Sequence, residues 1–226
     1  MSSETKAMLA MGDVLRPHLE AASSKFSRQA LAAFTEAEEA VVTVAAAVAL
    51  ADEAVQLASA KVHAADEVQD RLVLELATSL SGDGFERINP FKEFGALAPS
   101  DFIKQGDAKE ASALLQLVGN VARHPGASSG SKTLALLARE AALKTQEADA
   151  QRTLALAKRA IEFKKRDDAE EKWSSALADL RTTIAYADYV EGTSHYETVF
   201  GAIRMMKRRK KIADEPEARE EREATT

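Results

Sequence analysis

Hydrophobic positions between residues 34 and 76 fall into a seven-residue repeat. Phe34, Val41, Val48, Val55, Val62 and Leu76 occupy one position, with Gln69 as the single polar entry. Ala37, Val44, Ala51, Ala58, Ala65 and Leu72 occupy a second. A period of 3.5 held over this many turns predicts a coiled-coil helix. Alanine at one seam position lets backbones approach closely, as in tight antiparallel pairs. No proline or glycine interrupts the chain from Pro17 to Leu80, and Pro17 suits a first helical turn, where its missing N–H costs nothing. The predicted helix covers about 17–80, on the order of 90 Å in length, with Ser23-Ser24 as its weakest point.

Within it, AVVTVAAAVALA (40–51) is apolar on every side. A helix apolar all round asks for cover all round, which one partner helix does not supply. The sequence therefore calls for further helices or a second subunit at this level. Gly82 and Gly84 then stop the helix, and 81–107 follows with Phe85, Phe91, Phe94 and Phe102, half of the 8 phenylalanines. A long segment this apolar folds over a neighbouring core or binds a partner. These four rings are read as a partner-binding region or an end-cap. Asp107 and Glu110 form a candidate capping box for a short helix over 107–123, with Ala111, Leu114, Leu115, Val118 and Val121 on one face.

A second long helix is predicted over about 131–190. Leu134, Leu137, Ala141 and Ala148 mark its first half, and Trp173, Leu177, Leu180 and Ile184 its last part. Between them KRAIEFKKRDDAEEK carries charges at i,i+4, including Glu162/Arg166 and Lys164/Asp168, as a solvated helix does. Two helices of similar length favour an antiparallel hairpin. The fold expected is all-α: an elongated coiled-coil hairpin with short accessory helices, forming one domain over 1–212. A basic amphipathic helix over 193–212 closes it, and the acidic tail 213–226 is expected to be disordered.

Composition supports the helical reading: hydrophobic residues make up 46% but aromatics only 5%, with few glycines and prolines. The absence of cysteine removes disulfides, thiolate nucleophiles and cysteine-bound zinc. The N-terminal stretch lacks the apolar core of a secretory signal, and 40–51 is shorter than the roughly 20 residues of a membrane span. A cytoplasmic protein is the expectation, and the net charge of −6 argues against nucleic acid as a partner.

Candidate chemistry is sparse. GASSGSKT (126–133) approaches a phosphate-binding loop, with Lys132 in the lysine position and Ser131 where a glycine belongs. That motif works between a strand and a helix, and no strand is predicted before it. A flexible inter-helix loop with serine caps is the preferred reading. None of the 4 histidines has a glutamate three positions before it, as di-iron bundles require. The i,i+4 pairs His63/Glu67 and Glu191/His195 read as surface pairs. No serine nucleophile elbow is present. We therefore expect no catalytic residues, no metal, no cofactor and no enzyme activity.

The sharpest local feature is basic. Arg204, Lys207, Arg208, Arg209, Lys210 and Lys211 lie on a helix that also carries Val199, Phe200 and Ile203. An apolar face flanked by cations suits an anionic membrane surface, each cation contributing about 1 kcal/mol. Nucleic-acid phosphate, the acidic tail and a plain charged helix end compete for the same cluster.

The stretch AKRAIEFKKRDDAEEKWSSALADL (Ala157–Leu180) resembles the second long helix of sorting-nexin-type BAR domains, where a basic stretch leads into a tryptophan and an alanine-leucine stripe. The resemblance implies a helical dimer that binds and bends membranes. BAR domains have three long helices, whereas the third helix here is short. The reading that follows is a self-associating module, a homodimer, docking on anionic membrane and peripheral to it. Its alternatives are a purely proteinaceous scaffold using 81–107 to bind another protein, and a nucleotide-binding protein using 126–133.

Overall fold

A computed structural model describes residues 3–21 and 25–201. The protein is all-α, with no strand among the described residues. Helix α1 spans Ser3–Ala21, α2 Lys25–Gly82, α3 Pro99–Phe102, α4 Asp107–Arg123 and α5 Ser129–Glu191. A 3-10 turn, Lys92–Phe94, precedes α3, and 195–201 is again helical.

The N-terminal boundary differs from the expected one. Pro17 lies inside α1 rather than at the start of a long helix, and α2 begins at Lys25. A proline four residues from a helix end removes one backbone hydrogen bond only, and packing offsets that loss: Leu15, two residues away, is fully buried. Ser23 and Ser24 lie outside the described residues.

The contacts group into two compact units, where one domain over 1–212 is expected from sequence. The first comprises Met1–Ala49 with Ile161–Thr226; the second is Leu50–Ala160. In the first unit Leu15 (α1), Phe34 and Val41 (α2), and Trp173, Leu177 and Ile184 (α5) share a core with Val199 and Phe200. The Phe34 and Trp173 rings meet at 5.5 Å between centroids. Polar contacts flank them. Arg16 donates to the buried Glu38 carboxylate at 2.6 Å, and Thr5 hydrogen bonds Glu170. At the end of α5, Gly192 turns the chain at φ 67, and Asp188 accepts the backbone N–H groups of His195 and Tyr196.

The second unit is built at one end around Leu76 and Leu80 of α2, Leu114, Leu117 and Val121 of α4, and Ala135, Ala138 and Ala142 of α5. Small residues on α5 let α2 come close: Ser79 and Ser131 hydroxyls are 2.7 Å apart. Further along, Arg159 reaches Asp52 at 3.6 Å, so these parts of α2 and α5 run antiparallel. The segment between α2 and α4 closes over this core. Phe91 and Phe102 are 0% and 1% exposed and meet edge to face at 5.9 Å. Phe85 and Phe94 pack together at 5.0 Å with His124 against both. Burying each such ring contributes roughly 1.5–3 kcal/mol.

Candidate functional site

The most unusual chemistry lies between α2 and α4 in the second unit. Gln69, the polar entry in the seam, is fully buried, and its Nε2 donates to Glu110 Oε1 at 3.0 Å. Glu110 is 1% exposed. Asp66 and Asp70 flank Gln69 on the same face of α2, and one carboxylate oxygen each from Asp66, Asp70 and Glu110 lies within 4.8 Å of the others. Burial pushes the Glu110 carboxyl up to about 7; the Gln69 bond opposes this, while a hydrogen bond with Asp70 and the charges of Asp70 and Asp66 add to it. Gln69 Oε1 and Asp70 Oδ1 are buried and accept no hydrogen bond among the described residues.

This corrects the expected capping box. The N-cap of α4 is Gly106, at φ 84 and with no side-chain cap, and the Glu110 carboxylate turns to α2 instead. The signal was present in the sequence: Glu110, Leu114, Leu117 and Val121 form one stripe on α4, and all four are buried. A carboxylate on that stripe needs a buried partner, and the polar entry in the α2 seam supplies it.

The serine-rich loop holds a carboxylate of the protein's own. Asp83 Oδ2 accepts from the Ser128 backbone N–H at 2.9 Å and from Ser131 Oγ at 2.5 Å. Ser128 Oγ in turn accepts the Ser131 N–H at 3.2 Å, an N-cap bond at the start of α5. Hydrogen bonds from Ser131 and Ser128 hold the Asp83 carboxyl below its ordinary value despite some desolvation. The anion at this helix start is thus Asp83, and Ser131 is buried beneath it.

The predicted seam residues Val41, Val48, Ala58, Val62 and Leu76 are buried, and Val44, Ala51, Val55 and Leu72 are half-buried. Phe85, Phe91, Phe94 and Phe102 are all buried; the exposed large apolar residues of that segment are Ile88 and Leu97. His63 and Glu67 form an exposed pair at 3.3 Å. Arg204, Lys207, Arg208, Arg209, Lys210 and Lys211 lie outside the described residues. Val199 and Phe200, from the apolar face of the same predicted helix, are spent on the first unit's core, with Arg181 over the Phe200 ring at 5.4 Å.

The apolar stretch of α2 is not covered all round. Val42 is 50% exposed, Leu50 68% and Leu57 60%. By length and composition α2 contains a window apolar enough to cross a membrane, of which 22% is buried. On α5, Leu154 is 63% exposed. Leu57 stands five residues from Asp52 and Leu154 five from Arg159, so the two leucines share one level of the antiparallel pair.

Compared with family models, curated proteins and solved structures, the chain matches none.

Proposed function

We propose that this protein is a non-catalytic helical module that self-associates through the outward faces of its long helices and docks on an anionic surface. The observation that carries self-association is a second apolar row on α2 in the second unit. Leu50, Ala54, Leu57 and Ala64 are all exposed, at steps of four, three and seven, with Lys61 as the polar entry. Such spacing matches a coiled-coil seam. A row of this kind is complementary to the same row on a second copy across a two-fold axis, the commonest symmetry of homo-oligomers. Heptad spacing favours that partner over lipid, which accepts an apolar face without regard to register.

Light scattering on the whole chain tests this. A dimer is expected, and Leu50→Glu with Leu57→Glu yields a monomer of unchanged helicity. A monomeric parent protein refutes self-association. Docking on anionic membrane is supported by the run RMMKRRKK and by the resemblance of Ala157–Leu180 to BAR domains. Co-sedimentation with vesicles containing phosphatidylserine is expected at low salt, and reversing Lys207, Arg208, Arg209 and Lys210 to glutamate abolishes it. Failure of the parent protein to sediment leaves the proteinaceous scaffold as the reading.

A further inference from the structure

We propose that two copies of the chain cross antiparallel with their two-fold axis at Ala64 of α2, so that Leu50 and Ala54 of each copy seat in a groove on the other, between α2 and α5. This rests on the self-association inferred above and adds its register. The groove is open, of about 650 Å3, and is lined by Arg71, Leu74, Glu75, Thr78, Ser79 and Leu134. Its apolar part is Leu74, which is 47% exposed, and the half-buried Leu134 of α5.

The groove stands on the same line of α2 as the outward leucines. Counted in sevens from Leu50, that line runs Leu57, Ala64, Arg71 and Thr78, and all five are exposed. A step of seven keeps to one face of a coiled-coil helix. The line is uneven: leucines project from its first half, and its second half borders the groove. Ala64 divides it equally, with Leu50 and Thr78 each about 21 Å away along the helix. A two-fold axis through Ala64 therefore lays the leucine half of each copy over the groove of the other, since residue i meets j and j meets i. Leu50 then lies opposite Thr78, and Ala54 opposite Leu74.

Charge favours the same register. A parallel pairing sets Lys61 against Lys61 and Arg71 against Arg71, and like charges across an interface are costly. About Ala64, Lys61 instead lies opposite Glu67 of the second copy, and Arg71 comes within one turn of its Glu53; both carboxylates are exposed. Moving the axis one heptad on sets Arg71 against itself. Moving it one heptad back, to Leu57, takes both leucines off the groove. Ala64 also suits the crossing point, because its small side chain lets the backbones approach.

The chain has no cysteine, so an introduced thiol is unique. The full chain carrying Ala64→Cys, and separately Leu57→Cys, is treated with a mild oxidant, and disulfide-linked dimer is followed on denaturing gels. Thiols couple only where their Cα atoms come within about 7 Å. Ala64→Cys is expected to couple at least about tenfold faster than Leu57→Cys, which this register holds about 21 Å from its copy. Leu50→Cys combined with Thr78→Cys should also link two chains, and its failure to do so overturns the seating of Leu50. Light scattering on the parent protein separates the two levels of the reading. A dimer in which Ala64→Cys couples no faster than Leu57→Cys overturns the register and leaves self-association standing. A monomeric parent protein overturns both.

Discussion

The two compact units use the same helices and handle polarity in opposite ways. Around Phe34 and Trp173 the first unit places its charges beside an aromatic core: Arg16 pairs with Glu38, and Asp188 gathers backbone N–H groups at the end of α5. Each of those carboxylates has donors. The second unit instead encloses Glu110 and Gln69 between helices and surrounds them with two further carboxylates. Its apolar part, the sealed phenylalanine segment, lies on the same pair of helices. A helix interface that keeps acceptors facing acceptors retains a feature that packing alone would replace with leucine. The first unit is organised for packing; the second carries a feature that packing does not require.

Core truncation gives the largest expected effect and treats the units alike. Phe34→Ala and Phe91→Ala each remove a nearly or fully buried ring and should cost about 3–5 kcal/mol in urea unfolding followed by circular dichroism. Trp173 is the only tryptophan, so its fluorescence reports the first unit specifically. A cost near zero at Phe91 would mean that the segment does not seal the core.

Acid and base separate the units. Glu110 has its carboxyl raised from 4.5 to about 7 by burial and neighbouring charge. The folded state therefore binds more protons than the unfolded state between those values, and stability falls as pH rises through that window. Glu110→Gln should remove that component and raise the melting temperature at pH 7.5 relative to the parent. Asp188 behaves oppositely. Burial raises its carboxyl, but bonds from Thr193, Tyr196 and His195 outweigh this and lower it. Its stabilisation is present above the ordinary value of 3.8 and is lost as pH falls through the folded value. A melting temperature that is flat from pH 4.5 to 7 in the parent protein would remove the contrast.

A smaller effect is expected at Gly12. A Cβ there would stand 1.7 Å from Glu38 Oε1, so Gly12→Ala must displace a carboxylate held by Arg16. The expected cost is about 1–2 kcal/mol, read from the Trp173 transition. No change would place Glu38 outside the first unit's packing.

Much of this architecture was legible as pattern. The seam from Phe34 to Leu76 is buried or half-buried at its predicted positions, and the phenylalanine segment turns inward. Long periodic helices announce themselves because each turn repeats the same evidence. Boundaries were less legible: Pro17 obeys the rule for a helix start yet lies near a helix end, because docking of Leu15 outweighs one lost bond. The carboxylate cluster was missed for a different reason. Glu110 satisfies a local capping pattern, and only the stripe it shares with Leu114 and Leu117 points it inward. Gln69 and Glu110 are 41 positions apart, and no periodicity connects them. Similarly, the serine loop reads locally as a near phosphate motif, while its anion, Asp83, comes from beyond the preceding helix.

Of the two units, one is a single stretch of chain and the other is not. Residues 50–160 leave the ribosome as one continuous piece and contain every partner that their core needs, including Phe91, Leu117 and Ala138. Phe34, made before them, waits for Trp173, made after them. The first unit must therefore hold its N-terminal half in readiness while the whole second unit is synthesised. The order of birth along the chain makes the second unit the earlier to assemble and the first the one that closes the molecule.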